Sequence, residues 1–246
     1  MKVSKSIAIC ASTMAIANFG VSENLHGMNL PPTAMITDEK STCTVVPCRS
    51  SRQRTLKKII TWKDCSKYVG EVNSDNIPYG KGIITYADGS LYEGGWENGL
   101  QEGKGKFTFV DKSFYEGDWV NGKRSGKGKY TYTDKSFYEG DFVDNNKEGK
   151  GRCTYADGSF YEGDWRNGSE EGKGKYVYSG GDIYEGDWVK GKKEGNGTYT
   201  YADGRIYDGE WRNGKKEGKG KLVCPGKKVL IGNWLNNEFV KSDEIL

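Results

Sequence analysis

The residues able to do chemistry are either scarce or repeated without distinction. His26 is the single histidine. A Ser-His-Asp or Cys-His-Asn arrangement needs an imidazole to take the nucleophile's proton, and here the N-terminal extension would have to supply it. The carboxylates recur in copies, as Glu116 with Asp118, Glu139 with Asp141, Glu162 with Asp164 and Glu185 with Asp187. A general acid and base need surroundings that push two pKa values apart, and identical copies single out no such pair. Gly117-x4-Gly122-Lys123 has the opening of a phosphate-binding loop. Arg124 stands where that loop needs a hydroxyl for magnesium, and the segment crosses a hairpin turn rather than a strand-to-helix turn. The six cysteines are Cys10, Cys43, Cys48, Cys65, Cys153 and Cys224. Cys43-x4-Cys48 with Cys65 is too loosely spaced for a zinc set. Only Cys153 and Cys224 lie among the repeats, at non-equivalent places, which excludes a disulfide or zinc staple in each unit. The reading is of a non-enzymatic chain with no cofactor and no metal.

These residues belong to a unit that recurs. Tyr-Glu-Gly stands at 92, 115, 138, 161 and 184, and Tyr207-Asp208-Gly209 follows, each 23 residues after the last. Leu230-Ile231-Gly232-Asn233-Trp234 is a weakened later copy and Tyr68-Val69-Gly70 an earlier one. A fixed period of this length marks a repeat architecture. In one unit, Phe114 to Val120 alternates and ends at Asn121-Gly122, a hairpin-turn signal; Gly126 to Tyr132 alternates again and turns at Thr133 to Ser136. The prediction is an all-β fold, an elongated single-layer antiparallel meander of about eight β-hairpin repeats.

Side chains alternate between the faces of a strand. Tyr115, Gly117 and Trp119 therefore share a face, and Gly126, Gly128, Tyr130 and Tyr132 share one on the partner strand, with rings lying over glycines. The expected structural core is Tyr92, Trp96, Tyr115, Trp119, Tyr138, Phe142, Tyr161, Trp165, Tyr184, Trp188, Tyr207, Trp211 and Trp234. The other face sets Glu116 and Asp118 across from Lys127 and Lys129 of the same unit, so ion pairs are expected within each repeat. The residue before each Tyr position falls on this charged face: Leu91, Phe114, Phe137, Phe160, Ile183, Ile206 and Val229. Val120, Val143, Val189 and Leu235 add to it. Stacked repeats make of these an apolar stripe rimmed by charge, the candidate partner-binding surface. The competing reading is that long Lys stems cover it.

Residues 1–55 read as an N-terminal extension, 56–67 as a first strand or cap, 68–239 as the repeat domain and 240–246 as a tail. Residues 1–67 hold 10 Lys+Arg and 4 Asp+Glu, net +6, leaving 27 basic and 30 acidic residues, net −3, for 68–246. The repeats thus present no bulk basic field for nucleic acid. Residues 1–22 lack acids and are rich in Ser and Ala. That composition favours an organellar, plastid-type transit peptide over a plain cytoplasmic tail and over a secretory signal.

The pattern Tyr-Glu-Gly-x-Trp-x-x-Gly, then Gly-Lys-Gly and a Tyr-Ala-Asp-Gly turn, resembles the MORN repeat (membrane occupation and recognition nexus). Tyr92 to Gly99 with Gly103-Lys104-Gly105 carries it, as do the units from Tyr115, Tyr161, Tyr184 and Tyr207. The unit from Tyr138 departs, with Phe142 for Trp. The resemblance covers roughly residues 68–239 and implies a scaffold or adaptor that docks a protein partner or forms a homodimer. It also implies, as the alternative, a peripheral membrane adaptor for acidic phospholipids of the phosphoinositide type, or a regulatory module for a separate lipid kinase. Arg49, Arg52, Arg54, Lys57 and Lys58 are the candidate lipid-headgroup residues for that alternative.

Overall fold

In a computed structural model the described residues are 56–226 and 228–242. The chain divides into two units, 1–36 and 37–246, and every described residue belongs to the second. His26, Cys10, Cys43, Cys48, Arg49, Arg52, Arg54 and the stretch expected to be a transit peptide lie outside the described residues.

The described residues contain strands and turns only. The strands are β1 (Leu56–Thr61), β2 (Lys67–Val72), β3 (Pro78–Thr85), β4 (Leu91–Glu97), β5 (Leu100–Thr108), β6 (Phe114–Val120), β7 (Lys123–Thr131), β8 (Phe137–Val143) and β9 (Asn146–Thr154). They continue with β10 (Phe160–Arg166), β11 (Ser169–Val177), β12 (Ile183–Val189), β13 (Lys192–Thr200), β14 (Ile206–Arg212), β15 (Lys215–Val223), β16 (Val229–Leu235) and β17 (Glu238–Ser242). All belong to one 17-stranded sheet. Each pairs antiparallel with its neighbours in sequence, from β1 with β2 to β16 with β17, so the meander has no crossover.

Two kinds of turn set the register. At the short hairpins two consecutive residues take positive φ, as Asn121 (49°) and Gly122 (78°) do. That is the two-residue type I′ geometry, whose twist matches the strands. Asp144 and Asn145 fill the same turn in the Phe142 unit without a glycine. At the longer turns the Asp carboxylate accepts from the Ser two residues on: Asp111 Oδ1 takes the Ser113 amide at 2.9 Å and its hydroxyl at 2.7 Å.

The core is a ladder of rings on one face. Tyr115 is fully buried, and Trp119 nearly so. A Cβ on Gly128 would sit 2.3 Å from the Tyr115 hydroxyl oxygen, and one on Gly117 2.4 Å from it. The ring lies flat on both glycines, and its hydroxyl donates to Asp118 O at 2.9 Å. Trp119 meets Tyr115 edge-on at 5.3 Å and Tyr92 of the preceding repeat at 5.1 Å. Its indole donates to Gly105 O at 3.2 Å. The same contacts recur from Tyr68 with Trp96 to Tyr207 with Trp234, so each Trp ties its repeat to the one before. Such edge-to-face pairs contribute about 0.5–1.5 kcal/mol each beyond the area they bury.

Two details differ from the sequence reading. Gly126 does not lie under a ring; at φ 64° it belongs to a bulge, and a Cβ there would meet the Asp118 carboxylate at 2.9 Å. The ion pairs between strands also join neighbouring repeats rather than forming within one. Lys104 of β5 meets Asp118 at 2.7 Å, and Lys127 of β7 meets Asp141 at 2.6 Å. The bulge between Gly117 and Trp119 is the reason. It leaves Asp118 without an opposite residue in β7, while Lys104 faces it in register from β5. The second Asp118 oxygen instead accepts the Lys127 amide at 3.0 Å.

Candidate partner-binding surfaces

A trough of about 2470 Å³ runs along the charged face, lined from Lys57 on β1 to Asp208 on β14. Gly105, Gly117, Gly128 and their equivalents expose bare backbone to it, because their other side is filled by tyrosine rings. Lysines and glutamates line it in alternating rows. The Gly-Lys-Gly lysine of one repeat is paired to the Asp of the next, at 2.5 Å for Lys150 with Asp164 and for Lys173 with Asp187. Those carboxyls are held below their usual range, Asp164 first by its Lys150 bond and then by the Lys173 amide. The charges therefore cancel locally.

The predicted stripe lies on this face, and its members differ. Leu91, Phe114, Phe137, Phe160 and Ile183 are half-buried, whereas Ile206 (41%) and Val229 (43%) are exposed. Phe114 and Ile183 line the trough directly. Cations cap the three phenylalanines: Lys106 Nζ stands 4.3 Å from the Phe114 centroid, Lys129 Nζ 3.9 Å from Phe137, and Arg152 Cζ 3.7 Å from Phe160. The stripe is thus partly covered where it is most aromatic. Val120, Val143, Val189 and Leu235 are exposed. Ile59, Val69 and Ile83 sit side by side in register on β1, β2 and β3 and are exposed by 63%, 43% and 38%. They stand where later repeats carry Glu and Lys.

The opposite face carries a second continuous feature, which the alternation argument folded into the core. The first residue of six successive longer turns is aromatic and partly buried, running Tyr86, Phe109, Tyr132, Tyr155, Tyr178, Tyr201, before Cys224 takes the place. With Phe107, Tyr130, Tyr176 and Tyr199 these rings form a belt. Successive centroids step alternately by 4.4–4.6 Å and 5.7–5.9 Å. Cys153 interrupts it between Tyr132 and Tyr155. Beside the belt runs a core-facing position that changes from copy to copy between neutral, basic and acidic residues: Gln101, Arg124, Lys147, Glu170, Lys193, Lys216. Lys193 Nζ lies 4.7–5.5 Å from the centroids of Tyr178, Tyr184, Tyr199 and Trp211 and donates to the Tyr178 hydroxyl at 3.1 Å. Lys216 Nζ lies 5.0–5.1 Å from Tyr201, Tyr207 and Trp234.

The sequence pattern of the MORN repeat matches residues 68–91, 92–114, 115–137, 138–160, 161–183, 184–204 and 207–227. The chain belongs to the MORN-repeat family. Comparison with curated protein sequences finds no match. Among solved structures the MORN array is similar to the SAS-4 (dCPAP) TCP domain of Drosophila melanogaster, solved in complex with a proline-rich motif of Ana2. That likeness is 18% in identity over 77% of this chain and 97% of the other, with a TM-score of 0.42. It is also similar to a streptogramin B lyase, at 10% identity over 72% and 68% with a TM-score of 0.17. Likenesses this low carry no functional argument.

The remaining predicted residues are dispersed. Lys57 faces the trough, while Lys58 points the other way and donates to the Asn76 side chain. Alternation along β1 separates the two, so they form no common patch. Lys123 of the phosphate-loop look-alike is paired with Asp144 at 2.9 Å across the next hairpin. Among the described residues no group of three or more His, Cys, Asp or Glu is placed to hold a metal ion.

Proposed function

We propose that this MORN-repeat chain is a non-enzymatic scaffold that seats a protein partner along the trough, with the stripe from Leu91 to Val229 as its apolar contact. One observation carries the reading: a single-layer sheet leaves the trough open along nearly its whole length, with Phe114 and Ile183 in its lining. Six of the basic residues there, Lys104, Lys127, Lys129, Lys150, Arg152 and Lys173, are already paired with acids of the next repeat, which favours a protein surface that can insert between them over a bare polyanion. Val69 and Ile83 give the trough an apolar N-terminal end that suits the same kind of partner.

The test replaces Phe114, Phe137 and Phe160 together by Ser and compares proximity labelling of wild type and variant in the native cell. Neighbours that disappear while melting is unchanged support the reading. An identical set of neighbours sinks it. Flotation of the purified chain on anionic vesicles, fading with salt, would transfer the function to a lipid surface.

A further inference from the structure

The aromatic belt has a spacing that selects its ligand. Adjacent strands lie about 4.8 Å apart, so equivalent rings in successive repeats recur every ~9.6 Å. A polyproline II chain completes a turn in three residues, or about 9.3 Å. An α-helix turns once about every 5.4 Å, and seven residues, nearly two turns, bring a face back after about 10.5 Å; a β-strand repeats its side chains about every 6.8 Å. Over three repeats the polyproline turn drifts by less than ~1 Å, and the helix by roughly three times as much.

The charge beside the belt selects further. Lys193 and Lys216 occupy equivalent places in consecutive repeats, both packed on rings. Burial, and then the charge of Lys216, pull the Lys193 ammonium down to about 8. Asp182 is the carboxylate that opposes it, and Asp182 is already bound to the Tyr199 hydroxyl at 2.6 Å and the Ala202 amide at 2.8 Å. A negative group here would complement the two ammonium groups that pack on the belt. The turn aspartates at the edge of the belt are likewise held, Asp157 by Ser159 and Asp203 by Arg205.

We propose that the belt face between Tyr178 and Tyr201, beyond the Glu170 that Tyr155 already binds, is a second docking surface, and that its occupant is an extended polyproline II segment with an acidic residue in every third position. Each turn lays prolines on the rings of one repeat and points its acid at Lys193 or Lys216. The two faces of the sheet then bind different partners, which a scaffold requires.

The experiment titrates the full chain, by its tryptophan fluorescence, with synthetic (Pro-Pro-Glu)n, (Pro-Pro-Lys)n and (Gly-Gly-Glu)n peptides of about five repeats each. (Pro-Pro-Glu)n should bind at least ~10-fold more tightly than either control. The Lys193→Gln, Lys216→Gln double variant should lose about 10-fold of that affinity. The Phe114, Phe137, Phe160 variant on the other face should keep it. Equal binding of the glutamate peptides with proline and with glycine overturns the polyproline assignment. Equal binding of the acidic and basic peptides overturns the charge assignment, and needs no variant to fold. The absence of any binding overturns both. Loss of binding in the triple Phe variant would place the site in the trough instead.

Discussion

At the scale of the residue, the fold rests on rings pressed against bare backbone. Glycine inside a strand costs roughly 0.5–1 kcal/mol relative to alanine, and this sequence accepts that cost at every repeat. What offsets it is burial of a tyrosine and a tryptophan, each of which buries on the order of 150–250 Å². Gly128→Ala should therefore destabilise by about 1–3 kcal/mol, because the added methyl must displace the Tyr115 ring. A urea midpoint unchanged from wild type would mean that the ring is free to move. Trp165→Ala should cost about 3–5 kcal/mol, since Trp165 is 4% exposed and also loses its bond to Gly151 O. A third expectation concerns pH. Lys193 has a folded pKa of about 8 against its usual 10.5. Above about 8 the unfolded chain therefore holds the extra proton, and the folded state gains stability as pH rises. Cys153 works against this from about 9, because burial raises its thiol pKa. Above about 10, unfolded tyrosines ionise while Tyr92 and Tyr115, raised by burial, do not, and stability falls. The comparison that isolates Lys193 is thus wild type against Lys193→Gln. Between about pH 8 and 10 the wild type should gain stability relative to the variant, and parallel urea-midpoint curves would contradict the burial of the ammonium.

At the scale of the element, the period and the tyrosine-glycine-tryptophan alternation made the strands, short turns and core rings legible before any coordinates. The direction of the ion pairs was not legible in this way. Glu116 and Asp118 lie two residues apart on the same face, and simple alternation offers both to Lys127 and Lys129. The bulge before Trp119 breaks that register, and its sequence mark is only Gly126, one glycine among many. The belt was missed for a related reason. Tyr132 alternates with Tyr130, so alternation places both on the ring-bearing face, and nothing in it separates a partly buried rim from the core. The signals that could have found it were the aromatic at the head of six successive longer turns, and the Gln101-to-Lys216 position that varies in charge from repeat to repeat. Both faces hold charges, and their weights differ. Lys150 is 72% exposed in its pair with Asp164, and exposed pairs contribute about 0–1 kcal/mol. Lys150→Met should accordingly shift the melting midpoint by no more than a few degrees, whereas Asp164→Asn also weakens the bond to the Lys173 amide at 3.0 Å and should cost more. A ranking in the opposite order would show that the ion-pair row, not the bulge, holds the repeats in register.

At the scale of the whole sheet, every strand pairs only with its neighbours in sequence, and each Trp reaches back one repeat and no further. Stability in such an array is a sum of repeat terms and nearest-neighbour interfaces. Excision of residues 138–160 tests this. The cut removes one 23-residue period and joins Phe137 to Tyr161, so that β6 and β7 are followed by the strands of the next unit. Trp165 would then meet Tyr115 as Phe142 does now, at the edge-on distance of 4.9 Å seen for Tyr115 with Phe142. Arg124, packed on Phe142 at 5.6 Å, would pack on the indole instead, the same kind of contact that Lys147 makes with Trp165 at 5.1 Å. The shortened chain should fold in one transition, with the denaturant slope reduced in proportion to the surface lost. Its melting midpoint should fall by only a few degrees, since one interface is removed and an equivalent one is restored. A molten or aggregated product would mean that repeats beyond nearest neighbours support one another, and the array would then have to be treated as one cooperative body.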